Sequence, residues 1–307
     1  MPSPIFVIAP PNRVTCSASI TTSLKSIATN FEYENGRRYH GYKSGAYFLP
    51  NDEAENDRLD LYHHIITLRC DGKLHLTPIG ENPHAILDLG TGTGLWAILM
   101  GDEYPSAEVL ANDLSPIQPT EVPPNVTFEV DDMEAEWSYS KKFDYIHSRY
   151  LAGAIKDWRR LMRQAYEYTK PGGWVEFQDF NMKFYSQDDT VKEDSALIRW
   201  PAEIEKAMEM LDVEPSPGPK LTDWLEEAGF INIHHQLIPF PTGTWPKDKQ
   251  LRQLGALDQM NFLENLEGFS VRALTMIRDW RMEEVQVLLA QVRNELKDKK
   301  IHPLHDL

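Results

Sequence analysis

The stretch that most constrains the fold is residues 84–96, His-Ala-Ile-Leu-Asp-Leu-Gly-Thr-Gly-Thr-Gly-Leu-Trp. Ala85–Leu89 is a run of strand length, apolar apart from Asp88. It ends in a turn carrying Gly90, Gly92 and Gly94, and a helical pattern follows. A buried strand that feeds a glycine turn and then a helix brings bare backbone close to a ligand, where side chains would stand in the way. Asp88, near the carboxyl end of the strand, aims a carboxylate at the same crevice. A dinucleotide fold uses G-x-G-x-x-G. Here the spacing is G-x-G-x-G, and Leu95 takes the third dinucleotide position. A glycine turn that holds no ligand is the plainer alternative.

From residue 84 strand and helix patterns alternate, which predicts an α/β fold, a doubly wound Rossmann-like parallel sheet. Strand one is 85–89, with its helix at about 93–104. Strand two is 108–112, ending at Asp113, and the prolines at 116, 119, 123 and 124 keep the next connection largely non-helical. Strand three is 126–130, followed by Asp131-Asp132-Met133. Strand four is 143–146, ending at His147-Ser148-Arg149. A helix over 157–169 buries Trp158, Leu161, Met162, Ala165 and Tyr168 at 3–4 spacing. Lys170–Gly173 is a turn, and 174–177 is strand five. After Phe180 the alternation stops. A helix is expected over 188–211, a break at 214–219, a short helix over 221–229, a strand over 231–239 and two or three further helices. No internal repeat is visible.

Upstream, Phe31–Pro50 carries Tyr33, Tyr39, Tyr42, Tyr47 and Phe48 among Arg37, Arg38 and His40. That mixture suits a lid over a ligand, and equally an aromatic packing segment. Residues 52–68 read as a helix capped by Asn51 or Asp52. His63 and His64 are adjacent and so face different ways, which makes them core or surface histidines rather than a metal pair. The expected organisation is an N-terminal extension (1–30), a helical and aromatic lid (31–80), a ligand-binding core (81–180), and a remainder with helical substrate-side insertions (181–307).

The chain has 307 residues and a formal charge of −16, from 47 acids against 31 bases. That balance repels phosphate backbones and sets nucleic acid aside as a partner. Cys16 and Cys70 are too few for a disulfide framework, which points to a reducing, intracellular setting. No apolar run is long enough for a membrane span, so no membrane role is expected. The proline-bearing segment Met1–Pro11 lacks a basic start and makes a poor signal peptide. The reading is cytoplasmic, with the nucleus left open.

Ligands of open α/β sheets lie beyond the carboxyl ends of the strands, and each strand end here offers a suitable group. Gly90, Thr91, Gly92 and Gly94 would cradle a ligand with backbone, and Asp88 suits the cationic methionyl amine of S-adenosylmethionine better than a pyrophosphate. Asp113, followed by Leu114, can accept from both ribose hydroxyls. Asp132 can accept from an adenine amino group, and Met133 can cover the base. His147 and Ser148 end strand four, where the methyl group would be presented. Any one of these matches is weak, because an Asp at a strand end often caps the next helix. Their order along successive strands is what gives them weight.

Asp88–Gly94, Asn112–Pro119 and Lys170–Asp179 resemble class I S-adenosylmethionine-dependent methyltransferases, and more narrowly the fungal LaeA-like group. The likeness includes Glu34–His40, Leu49–Asp52, Asp57–Asp60 and Gly72–His75, and spans roughly residues 32–303. It implies a seven-stranded sheet ordered 3-2-1-4-5-7-6 with strand seven antiparallel, and an upstream aromatic block that closes over the cofactor. The group contains small-molecule methyltransferases of secondary metabolism and regulatory proteins. One departure stands out. The pattern at Ile301-His302 leads into a final strand in the group, whereas here Pro303–Leu307 does not look like one. Strand seven is therefore expected to be missing, with Ile5–Ile8, from this chain or from a partner's, filling its slot.

Methyl transfer needs in-line positioning and exclusion of water, and a base only where the acceptor is a neutral hydroxyl or amine. His147 is the first candidate, or else a structural histidine near the adenine. His40 and Tyr39 are the second candidates. Arg38 could pair with the methionyl carboxylate or with a surface acid. The acceptor would be a small, fairly apolar metabolite. The alternative is a regulatory protein that keeps the cofactor site and works through protein partners, and a homodimer stays open. A nicotinamide enzyme is disfavoured by the glycine spacing.

Overall fold

The computed structural model describes residues 30–42 and 49–307. Ile5–Ile8, Met1–Pro11, Cys16, Tyr47 and Phe48 lie outside them. The described chain opens with a hairpin, β1 (Glu32–Glu34) against β2 (Arg37–Tyr39). Its turn is Asn35-Gly36, with φ of 49° and 77°. Two consecutive positive φ values are what a two-residue hairpin turn of this type requires, and Asn-Gly supplies them at little steric cost. α1 (Glu53–Arg69) follows, and the Asp52 side chain caps it by accepting from the Glu55 N–H at 3.0 Å.

β3 (Ala85–Leu89) is buried at every position, because strands flank it on both sides. α2 (Leu95–Glu103), β4 (Glu108–Asp113), β5 (Val126–Val130), β6 (Phe143–Arg149), α3 (Trp158–Tyr168) and β7 (Thr169–Gln178) complete the core. The five strands are parallel and ordered β5-β4-β3-β6-β7. Alternation along the strands separates two apolar layers. Ile86, Val109, Ala111 and Tyr145 pack with Trp96, Ala97 and Met100 of α2. Ala85, Leu87, Leu89 and Ile146 pack with Leu161 and Met162 of α3.

β8 (Asn181–Tyr185) follows β7 after Asp179 and Phe180. α4 (Ala196–Met210) starts later than the pattern suggested, because Ser195 caps it through the Leu197 N–H. α5 (Leu221–Ala228) joins the α3 layer through Leu221 and Trp224. β9 (Pro239–Pro241), α6 (Lys249–Arg272, continuing as a π-helical turn over Ala273–Ile277), α7 (Met282–Lys297) and β10 (Leu304–Asp306) finish the chain. α4, α6 and α7 enclose a third apolar cluster.

Two expectations are overturned here. The final strand is present. β10 lies between β8 and β9, antiparallel to both, and so occupies the slot assigned to Ile5–Ile8. Beyond it Leu307 and Ile238 exchange both backbone hydrogen bonds, at 3.0 and 3.1 Å. Reading β8 as the continuation of β7, the strands follow the 3-2-1-4-5-7-6 order. Conversely, 231–238 forms no strand, and Ile231 is 81% exposed. Only its last residue, Ile238, is buried, so the alternating apolar letters before it have no buried face to serve.

Candidate functional site

The carboxyl ends of β3, β4, β5 and β6 open into a cleft of about 300 Å³, roofed by His40, Pro50, Asn51 and the start of α1. Parallel register sets its floor. Asp88 and His147 are direct neighbours on β3 and β6, so their side chains leave the sheet on the same face. His147 Nδ1 is 2.7 Å from Asp88 Oδ1, and both residues are buried. The imidazole lies flat against the Trp96 indole, with centroids 3.7 Å apart and planes 7° from parallel. Burial pulls the His147 pKa down against the opposing pull of Asp88, so the ring is neutral at pH 7. With Nδ1–H donated to the carboxylate, Nε2 is an acceptor, and it is buried without a protein partner.

The glycine turn takes the backbone shape that its residues permit. Gly90, Gly92 and Gly94 have φ of 67°, 58° and 81°. A Cβ at Gly90 would stand 2.7 Å from Leu151 Cδ2. Thr91 Oγ1, within the turn, is buried and has no partner. Gly94 serves packing instead and does not line the cleft: a Cβ there would stand 2.4 Å from the Phe128 ring of β5.

Asp113 lines the cleft with Leu114. Its carboxylate accepts from the Gly92 and Ser115 N–H groups, each at 2.9 Å. Burial nevertheless raises its pKa to about 6. Asp132 and Met133 line the far end, and Asp132 Oδ1 accepts from the Glu134 N–H.

Of the upstream candidates, His40 lines the cleft. Tyr39 and Arg38 do not. The Tyr39 ring lies under the Arg272 guanidinium of α6, 4.2 Å from it. Arg38 pairs with Glu53 at 2.8 Å and donates to the Asn51 carbonyl, so it braces the start of α1. Arg37 makes a two-pronged pair with Asp52, at 2.5 and 2.9 Å. These contacts fix the hairpin beside the cleft, and Asn51 Nδ2 donates across it to Ser115 Oγ at 3.1 Å.

Sequence reasoning passed over several residues of the cleft. His63 is among them. Burial, then the nearby Arg149, drives its pKa to about 3, so it is neutral. Trp96 was visible only as an apolar helix residue, and Tyr150 only as part of a loop. Tyr150 has φ of 69°, a strained value for a bulky side chain. Its ring is thereby set between Tyr62 and Phe180, at 4.5 and 4.4 Å. The Asn-Gly hairpin signal at 35–36 was available in the sequence and would have located the roof.

These residues fit S-adenosylmethionine. A Cβ at Gly90 would press on Leu151 and Met133, which line the cleft with it, so the turn lets bare backbone form that wall. Thr91 Oγ1 offers a free donor and His147 Nε2 a free acceptor on the walls. Among the described residues no cluster suited to a metal ion occurs, and no helix is long and apolar enough to cross a membrane.

Comparison with known proteins agrees. The methyltransferase-domain family profile matches residues 62–235. The chain is 44% identical to methyltransferase pytC of Aspergillus terreus over 306 residues, covering 97% of this chain and 94% of that one. It is 37% identical to the secondary metabolism regulator LAE1 of Cochliobolus heterostrophus, covering 91% and 94%. It is 35% identical to the protein-methionine methyltransferase laeA of Emericella nidulans, covering 93% and 77%. A solved phosphoethanolamine N-methyltransferase 2 of Haemonchus contortus overlays distantly, with a TM-score of 0.46 and 14% identity over 96% of this chain and 74% of that one. The chain belongs to the class I S-adenosylmethionine-dependent methyltransferases, within the LaeA-like group.

Proposed function

We propose that the protein methylates a small, largely apolar acceptor held in a second cavity beside the cofactor cleft. The observation that carries this reading is a shared wall. Leu59 of α1 and Tyr150 line both the cleft and an apolar cavity of about 120 Å³ between α1, β8, α4 and α6. A cavity of this lining suits a metabolite and not an extended polypeptide.

S-adenosylmethionine, when bound, supplies a sulfonium methyl group for displacement. The residues of this chain hold it and exclude water. The Gly90–Gly92 backbone and Thr91 Oγ1 take the methionyl end. Asp113 keeps lone pairs for the ribose beyond the two it gives to Gly92 and Ser115. Asp132 and Met133 take the adenine. His147 acts as a polar floor, because it is buried beneath Trp96 and fixed by Asp88. Where the acceptor must lose a proton, His40 is the histidine on the roof of the cleft placed to take it. Tyr39 and Arg38 act through the roof they brace.

The test is transfer of label from methyl-labelled S-adenosylmethionine to fractionated fungal metabolites. Label is expected in small organic-soluble products. Ala152→Trp, which fills the cavity, should abolish that transfer while S-adenosylhomocysteine still binds by calorimetry. Transfer that survives Ala152→Trp would overturn the reading. The likeness to LAE1 and laeA supports a second reading, action through protein partners, and label found only on protein would favour it.

A further inference from the structure

We propose that the acceptor is a neutral aromatic ring bearing a hydroxyl, and that Tyr62 and Asn261 recognise that hydroxyl. The proposal deepens the acceptor reading above and rests on it.

The cavity walls are rings. Tyr62, Tyr150, Phe180, Phe184, Trp200 and Phe262 line it. They meet one another edge-on or tilted: Tyr62 and Tyr150 at 4.5 Å and 60°, Phe184 and Phe262 at 5.2 Å and 62°, Trp200 and Phe262 at 6.0 Å and 88°. Such frames leave ring faces and edges for one more aromatic partner. The volume, about 120 Å³, is of the order of the ~150 Å³ apolar cavity that takes up benzene.

Two polar atoms on this apolar wall have no partner. Tyr62 and Asn261 are 1% and 2% exposed, and Tyr62 Oη and Asn261 Oδ1 are buried without a hydrogen bond. Leaving such a group unmet is destabilising, so each is either a place for a ligand or a standing loss. Both residues line the same cavity, Tyr62 from α1 and Asn261 from α6. Asp258, one turn before Asn261, lies close enough to Tyr62 to act on it. Burial, and then that carboxyl, push the Tyr62 phenol well above its usual range, so it stays protonated and can donate. Asp258 is held through one oxygen: Oδ2 accepts from Thr242 Oγ1 at 2.6 Å and lies 3.1 Å from His305 Nε2, while Oδ1 is a further buried atom without a partner. The neighbouring cation is also committed: Arg58 donates twice to Glu55, at 2.7 and 2.9 Å.

That pattern selects among ligands. Asn261 Oδ1 can only accept, and Tyr62 Oη can donate. A hydroxyl on the bound ring satisfies both at once, donating to the amide and accepting from the phenol. A carboxylate has no proton for Asn261, and an unsubstituted ring serves neither atom. Sites built to meet a hydroxyl discriminate against the analogue that lacks it, because their own groups are then left unpaired.

The test is calorimetric titration of the full chain, saturated with S-adenosylhomocysteine, with 4-methylphenol and with toluene. The expected result is that 4-methylphenol binds at least tenfold more tightly. Tyr62→Phe and Asn261→Leu should each cut that ratio to threefold or less, leave S-adenosylhomocysteine affinity within twofold, and leave Tm unlowered, since each removes an unmet polar atom. Equal binding of toluene and 4-methylphenol overturns the hydroxyl assignment while leaving the acceptor cavity in place. Failure of both to bind protein that holds S-adenosylhomocysteine overturns both readings. If the variants lower Tm and keep the ratio, the two atoms serve the fold alone and the proposal fails.

Discussion

His147 lies between two partners of different kind: Asp88 Oδ1 is 2.7 Å from its Nδ1, and the Trp96 indole covers its face at 3.7 Å. The carboxylate fixes the tautomer and the indole fixes the plane. Removing the imidazole would leave Asp88 buried and unpaired, at a cost of about 3 kcal/mol. His147→Ala should therefore lower the urea midpoint substantially. Asp88→Asn, whose amide oxygen still accepts from Nδ1–H, should lower it by less than half as much. Equal losses would show that charge, and not the hydrogen bond, matters at this pair.

Gly92 tests the turn. Its φ of 58° is in the left-handed region, which costs a side-chain-bearing residue about 1–2 kcal/mol, and a β-branched side chain would also occupy the space proposed for the methionyl end. Gly92→Val is expected to weaken S-adenosylhomocysteine binding at least 100-fold by calorimetry. Retained affinity would place the cofactor elsewhere.

The clasp between Asn51 and Ser115 should affect binding and spare the fold. It is one neutral hydrogen bond of 3.1 Å between the roof and the loop after β4, worth about 0.5–1.5 kcal/mol. Ser115→Ala should raise the KM for S-adenosylmethionine roughly three- to tenfold and leave Tm within about 2 °C. A fall in Tm without a change in KM would make the contact purely structural.

Asp179 carries a pH dependence. It receives the Leu151, Ala152 and Phe180 N–H groups, at 2.7, 3.3 and 2.9 Å, yet burial lifts its pKa to about 7. The unfolded value is about 3.9. A folded pKa above the unfolded one favours the folded state while the group is protonated. That advantage is complete below about pH 4 and lost as pH rises through 7. The stability of the wild type minus that of Asp179→Asn should therefore be smaller at pH 8 than at pH 5 in chemical denaturation. A difference that grows with pH would reverse the sign and refute the assignment.

The cofactor half of the molecule was legible because its chemistry is written at strand ends. The Asp88–Gly94 run, Asp113, Asp132 and His147 each follow a strand that periodicity locates, and parallel register then brings them together. The other half was not. β10 is three residues, Leu-His-Asp, preceded by Pro303, with no alternation for a pattern to catch. Its identity depends on β8 and β9 offering edges about 120 and 65 residues earlier in the chain. Residues 231–237 failed in the opposite sense, since they alternate in sequence without a buried face in the fold. Tyr39 looked like a ligand contact, and Arg38 was open between a ligand carboxylate and a surface acid, because charge and aromaticity do not reveal what they will touch. Here they touch Glu53 and Arg272.

Leu59 has one further consequence. Its Cδ1 is 3.4 Å from where a Cβ of Gly92 would stand, and it also lines the apolar cavity. A single side chain therefore rests on the glycine turn and on the second cavity, so whatever shifts α1 at one is felt at the other. Such coupling is symmetrical by thermodynamic necessity: the factor by which a filled turn changes affinity for the second ligand equals the factor by which that ligand changes affinity for the first. Any two ligands held at these two places would be weighed against each other through one leucine.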